Sequence, residues 1–281
     1  MKRLRIEHAT GFAYPGDVTA SYNEARMLPG TTDSQFVLSA TLDIEPAASV
    51  NTYVDYFGTK VPPSDPLSPP SALQLVARSL VEVRPRPLEH SDVSWERLAI
   101  EAERTIETVE QLGQTVRTQP HPEVAEIARS IASRHENPGA AAHDIAMAIG
   151  DAVQYVQGVT GVHSTAHESW EARKGVCQDM AHITIGALRS VGIPARYVSG
   201  YLHPNPNAEI GVAVTGESHA WVEWFSGEWC GFDPTNNIEI GDRHVLVGRG
   251  RDYNDVPPLR GVYAGTFKSQ LNVKVTITRE A

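Results

Sequence analysis

The stretch Glu168–Leu202, ESWEARKGVCQDMAHITIGALRSVGIPARYVSGYL, decides how the chain is read. Met180, Ile183, Ile185, Ala187, Leu188 and Val191 recur at close to helical spacing, so a helix is predicted from Cys177 to about Val191. Gly192 and Pro194 end it, as a glycine just past a helix followed by a proline commonly does. A strand-like run, Ala195 to Leu202, comes next. Cys177 therefore opens a helix. A thiol there faces the positive end of the macrodipole, which favours the thiolate and prepares a nucleophile. A single cysteine is as readily a packed, inert thiol. The stretch alone leaves both readings open.

Working outward, the chain is 281 residues long, enough for two domains or one large one. Hydrophobic residues make up 41% and charged residues 21%, which points to a packed core rather than disorder. The formal net charge of −10 and the lack of any lysine or arginine block argue against a nucleic-acid partner. Two cysteines, Cys177 and Cys230, make neither a disulfide scaffold nor a CxxC zinc pair. The first residues lack an apolar segment of signal-peptide length, and no apolar run is long enough to span a membrane. A cytoplasmic protein without a membrane partner is expected.

Residues 1–87 read as β structure. Leu4 and Ile6 alternate with polar neighbours, as do Phe36, Leu38, Ala40, Leu42 and Ile44, and then Leu73, Leu75, Ala77, Val81 and Val83. Turn clusters such as Leu28-Pro29-Gly30 and Phe57-Gly58-Thr59-Lys60 separate these runs, the pattern of an antiparallel sandwich. Arg84-Pro85-Arg86-Pro87 marks a linker. A mixed segment, 88–258, follows. Helices are expected from Ser94 or Asp92 through Val109, from Pro122 through Ile131, and from Ala140 through Val156. Thr165 and Glu168 form a capping-box pattern for a short helix before Lys174-Gly175. Strands are expected at Arg196–Leu202, His219–Phe225 and Glu228–Asp233. The tail, 259–281, ends in a period-two run, Leu271 to Ile277, expected to return to the first domain.

A thiol nucleophile in acyl transfer needs a base, a group to orient the base, and donors aimed at the oxyanion. GESHAWVEWF offers the base, His219, and GEWCGFDPTN the orienter, Asp233. By alternation His219, Trp221, Glu223 and Phe225 share one strand face; Trp229, Gly231 and Asp233 share a face of the next. A hairpin turning at Ser226-Gly227 sets the carboxylate beside the imidazole.

The motifs GVCQDMAHITIGALRSVGIPARYVSGYL, SHAWVEWF and GFDPTNN resemble the transglutaminase-like superfamily, and more narrowly its bacterial branch with an added N-terminal β domain. SYNEARMLP and GRGRDYNDVPPLRG are also similar to parts of that branch. The resemblance implies an α+β protein: an N-terminal antiparallel β-sandwich joined to a papain-like core. It implies that Cys177 is the nucleophile, His219 the base and Asp233 the orienter, with a backbone N–H at the helix start serving the oxyanion. Tyr155 resembles the aromatic residue that precedes the cysteine loop and is a candidate for the cleft, as are Gln178 and Trp221. Tyr155 reads equally as a core tyrosine, and His182 as a packed histidine. His163 and His167 lack a third ligand for a metal. The expected chemistry is attack on peptide or protein amides through a thioester, ending in hydrolysis. Transamidation, a non-catalytic peptide cleft and a metal site are the alternatives. No cofactor or metal enters the reading.

Overall fold

A computed structural model describes residues 1–13, 20–49, 52–66, 72–85, 92–216, 218–264 and 270–281. Strands come first: β1 (Lys2–Ala13), β2 (Ala20–Ala25), β3 (Gln35–Glu45), β4 (Ala48–Ser49), β5 (Tyr53–Val54), β6 (Lys60–Val61), β7 (Pro63–Pro66) and β8 (Ala72–Val83). Then come α1 (Trp95–Ala102), α2 (Ile106–Val109), α3 (Pro122–Ala132), α4 (Pro138–Ala152), β9 (Gln154–Tyr155), α5 (Ala166–Ala172), β10 (Lys174–Gly175) and α6 (Cys177–Ser190). The chain closes with β11 (Ala195–Leu202), β12 (Ala213–Gly216), β13 (Ser218–Phe225), β14 (Trp229–Asp233), β15 (Ile238–Glu239), β16 (His244–Gly250), a 3-10 turn at Tyr253–Asp255, β17 (Leu259–Ala264) and β18 (Gln270–Arg279).

The strands build an outer sheet, ordered β12-β18-β1-β8-β3, and a central sheet, ordered β15-β14-β13-β11-β16. A smaller sheet, β17-β2-β7-β4, packs on part of the outer one. Alternation in β1 and β8 turns one face of the outer sheet inward. Leu73, Leu75 and Ala77 meet Ala25 and Met27 beneath the small sheet. Leu4, Ile6, Val81 and Val83 meet Tyr201, Val245 and Val247 of the central sheet. One apolar face thus covers both partners. The helices cover the other face of the central sheet. There α6 packs on Ala195, Tyr197, Ala220, Val222 and Trp224, with α3 and α4 stacked outside it. The fold is therefore α+β, as expected.

Several elements depart from the expected boundaries for local reasons. The helix expected through Val109 is broken. Thr105 adopts extended backbone and caps α2 by accepting the Thr108 N–H. The helix expected through Val156 ends at Ala152, because Gln154–Tyr155 pairs with Lys174–Gly175. Phe36 and Leu38 point outward, since a bulge between Val37 and Ser39 shifts the β3 register and reverses its phase. Thr165 and Glu168 do form a capping box. β18 pairs with β1, and β12 joins the same outer sheet from within the mixed segment. Arg86 and Pro87 of the expected linker lie outside the described residues. No helix among the described residues is long and apolar enough to cross a membrane.

Arg189 ties the core together. Buried near the end of α6, it donates to the carbonyls of Ala195, Gly113 and Arg251 and to Gln111 Oε1 and Thr118 Oγ1. Gly186, one turn earlier, lets this loop approach: a Cβ there would lie 2.0 Å from the Thr118 carbonyl oxygen. Arg189→Met leaves those buried acceptors unpaired and is expected to cost about 3 kcal/mol in urea unfolding. Arg3→Ala, which removes an exposed pair with Glu82, is expected to stay within about 1 kcal/mol.

Candidate active site

Cys177 is the first residue of α6 and follows a tightly held loop. Asp179, in the helix's first turn and 1% exposed, accepts from the Val176 N–H at 2.8 Å, Thr160 Oγ1 at 2.7 Å and Ser169 Oγ at 2.8 Å. One carboxylate therefore joins the 160 loop, α5 and the helix start. Gly175 is required beside it, because a Cβ would stand 2.7 Å from that of Asp179. The N–H groups of Cys177 and Gln178, the first of α6, have no acceptor inside the helix and are donors for an anion at the thiol.

His219 and Asp233 come from adjacent antiparallel strands. Val222 pairs with Phe232 and Phe225 with Trp229, so Asp233 stands diagonally from His219 and not directly across. The two still meet: His219 Nε2 donates to Asp233 Oδ2 at 2.7 Å. The other ring nitrogen of His219 is left for the Cys177 side chain, to which His219 is also hydrogen-bonded. Asp233 is fully buried and takes four further donors. The N–H groups of Thr235 and Asn236 reach Oδ1 at 3.0 and 3.3 Å; Asn236 Nδ2 and His244 Nε2 reach Oδ2 at 2.7 and 3.4 Å. The Gly241 N–H donates to His244 Nδ1, so the His244 proton sits on Nε2, facing Asp233.

Electrostatics follow from these contacts. Burial opposes a charge on His219, but hydrogen bonds and attraction to Asp233 and Cys177 outweigh it and push the imidazole up to about 10. Burial likewise opposes an ionised Asp233, and its hydrogen bonds to His219 and His244 overcome that and hold it well below the usual carboxylate range. His244 is moved the other way, chiefly by burial, and stays neutral.

A cleft of about 520 Å³ opens at Cys177, and an adjoining lobe of about 490 Å³ shares Tyr155, Cys177, Gly216 and His219 with it. Of the remaining sequence candidates, Tyr155 lines both lobes, 43% exposed, and is not a core tyrosine. Gln178 lines the larger lobe, its Nε2 donating to the Val162 carbonyl at 3.4 Å. Trp221 does not reach the cleft. It is buried on the face turned away from α6, because only the end of β13 lies level with the thiol and His219 occupies that end. His182 is packed, as expected: it accepts the Tyr253 N–H at Nε2, and burial pushes it down to about 3.

Two residues were not singled out in the sequence. Tyr197, on the helix side of β11, lines the larger lobe. Burial first, and then its proximity to Cys177, raises its phenol well above the usual tyrosine range, so it stays a neutral donor. Alternation from Ala195 points to this position. His244 has no such signal, since nothing in its flanking sequence indicates its approach to Asp233.

Two sets of side chains have metal-ligand spacing. In the first, His121, His167 and Glu171 bring ligand atoms within 4.8 Å of one another, so a third group does stand by His167. His121 Nδ1, however, accepts the Glu123 N–H as the cap of α3, which leaves its proton on Nε2. His167 faces Glu171 one turn on, at 3.6 Å. The second set is His219, Asp233 and His244, whose atoms are engaged with one another as described.

Comparison with known proteins agrees with this geometry. Residues 125–234 match the transglutaminase-like superfamily, and residues 4–82 match the bacterial transglutaminase-like N-terminal region. A Mycobacterium leprae protein, ML0607, is 40% identical over 282 residues, covering 100% of both chains. The chain belongs to the transglutaminase-like superfamily. A crystal structure from Cytophaga hutchinsonii, described as a candidate cysteine protease, superposes with a TM-score of 0.76 at 19% identity, over 99% of this chain and 97% of that one. It shares the transglutaminase-like fold. A Pseudomonas aeruginosa protein-glutamine gamma-glutamyltransferase is 34% identical over 112 residues, 36% of this chain and 17% of that protein.

The His219–Asp233 pair fixes the sign of a pH effect. Folding raises His219 from its ordinary 6.5 to about 10, so the folded chain binds a proton that the unfolded chain releases. That contribution is complete below about pH 6.5 and is lost as pH rises toward 10. Asp233 is lowered from its ordinary 3.8, so its contribution is present above that value and lost as pH falls. Both shifts describe one ion pair and count once. Urea unfolding at a series of pH values is expected to show wild-type stability declining between about pH 6.5 and 10. The decline should be largely absent in Asp233→Asn.

Proposed function

We propose that the protein is a cysteine-dependent hydrolase of peptide or protein amides. The observation that carries this reading is the contact of His219 with both Asp233 and Cys177 at the start of a buried helix. In this reading Cys177 Sγ attacks the amide carbonyl carbon. The oxyanion is met by the N–H groups at the start of α6, with the neutral Tyr197 phenol close by. The C–N bond breaks as His219 gives its proton to the departing amine, and an acyl thioester remains on Cys177. Water then attacks the thioester and passes a proton back to His219. The carboxylic acid leaves and the thiolate returns. Asp233 keeps the imidazole oriented and charged between these steps, and Asn236 and His244 keep Asp233 in place.

Hydrolysis is favoured because the half-exposed wall at Tyr155 leaves the thioester within reach of water. The similarity to a named gamma-glutamyltransferase supports transamidation as the second reading. The substrate is taken to be a peptide, which suits a cleft with two lobes meeting at the thiol. We place the reaction in the cytoplasm, in keeping with two unpaired thiols, and assign no nucleic-acid or membrane partner.

Iodoacetamide labelling of Cys177 is expected to slow by about tenfold or more near neutral pH in His219→Ala. Equal rates in the two proteins would reject the base assignment. A glutamine-containing peptide, supplied with and without a primary amine, separates the two outcomes by product mass. Free acid as the main product supports hydrolysis, and dominant amine adduct supports transamidation. Cys177→Ala should abolish both.

A further inference from the structure

The face of the central sheet turned away from α6 carries a second cavity, of about 450 Å³, closed on the other side by Thr32–Gln35 and Arg84. Its floor is an ion cluster. Glu223, buried, accepts from Arg249 Nε at 2.7 Å, Arg249 Nη2 at 3.0 Å and Arg196 Nε at 2.7 Å. Arg196 Nη1 reaches Glu107 at 3.0 Å, and its guanidinium lies 3.7 Å over the Trp229 ring. Both oxygens of Glu223 are engaged by these bonds, while Arg249 Nη1 and Arg196 Nη2 take no part in them. Arg84, on the same cavity, makes no ion pair among the described residues.

One group decides what the cavity asks for. Trp221 is 1% exposed, lines the cavity, and its indole N–H has no acceptor. A buried donor left unpaired is costly, and its natural complement is an acceptor. The other carboxylates on the lining, Asp33 and Glu228, are less buried than Glu223. Three guanidinium groups and an indole N–H therefore surround one saturated carboxylate. Planar guanidinium forks match carboxylate oxygens in geometry and charge. The volume is that of a small-molecule site.

We propose that this cavity is an effector site for a small polycarboxylate anion, held by the Arg249 and Arg84 guanidinium groups and the Trp221 indole N–H. Its position makes the effect on the thiol specific. His244 lines the cavity and donates to Asp233 through its far wall. Trp221 packs against His244 at 5.4 Å and His219 at 6.3 Å between ring centroids. An anion on the Trp221 N–H stands one side chain away from the carboxylate that orients His219. The effector role rests on the hydrolase reading. The binding itself does not.

The test titrates the full chain with citrate, at constant ionic strength set with sodium chloride, and follows melting temperature and heat of binding. Iodoacetamide labelling of Cys177 is timed in the same solutions. Saturable binding at one site is expected, weakened about tenfold or more in Arg84→Gln and in Trp221→Phe, together with a changed labelling rate. Arg84 is exposed, so its variant folds whatever Trp221→Phe does. No saturable binding, or equal binding in wild type and Arg84→Gln, overturns the site. Tighter binding of inorganic phosphate than of citrate overturns the ligand class. Binding with an unchanged labelling rate overturns the effector role and leaves the site standing.

Discussion

Helix α6 is buried on every side, from Gln178 through Arg189, and this constraint organises the molecule. A buried helix must find partners for each polar group it carries, or the group costs more than the packing returns. Asp179 meets Val176, Thr160 and Ser169. Thr184 returns its hydroxyl to the Met180 carbonyl at 2.8 Å. His182 takes the Tyr253 N–H, and Arg189 collects the loop that runs from Gln111 to Thr118. Each partner belongs to a different segment. Satisfying the helix therefore fixes the loops around it, and with them the wall of the cleft. Precision at Cys177 is a by-product of burying the helix behind it.

The central sheet divides the chemistry between its faces. The α6 side is apolar and supports the thiol. The opposite side is polar, with Glu223 clamped by two arginines and pushed down to about 2 by them against the opposing effect of burial. Asp233 sits where the two environments meet. It belongs by alternation to the polar face, yet its partner His219 reaches round the strand end to the thiol. A carboxylate with five donors cannot swing away from the imidazole without leaving several of them unpaired. Rigidity at Asp233 thus comes from donors on the loop at 235–236 and from His244, none of which contacts the cleft through Asp233's own face.

Much of this was legible in the sequence, because it rests on local rules. Periodicity located α6, the Thr165 box capped α5, and period two placed His219 and Asp233 on matching faces. What failed to show depends on long-range placement. Trp221 was expected at the cleft because it shares the His219 face, but only the strand end reaches Cys177. Val37 to Ser39 hides a bulge, and a strict alternation carried past it turns Phe36 and Leu38 inward when they face out. His244 approaches Asp233 only because β16 lies beside β11 in the folded sheet. Spacing along the chain carries no trace of that approach.

The outer sheet bears more directly on the site than an appended domain would. β12 pairs with β18 through Gly216 and Val275, and His219 follows within three residues. The strand that carries the imidazole is thereby anchored in one sheet at its start and in another along its length. Val275 and Thr215 also line the larger lobe beside Cys177. A substrate in that lobe touches the outer sheet and the thiol helix together. Any change that loosens β18 from β1 would shift β12, and through it the start of β13, before it disturbed the buried core around α6. The outer sheet is best understood as the second wall of the cleft and the fixed end of the strand that bears the base.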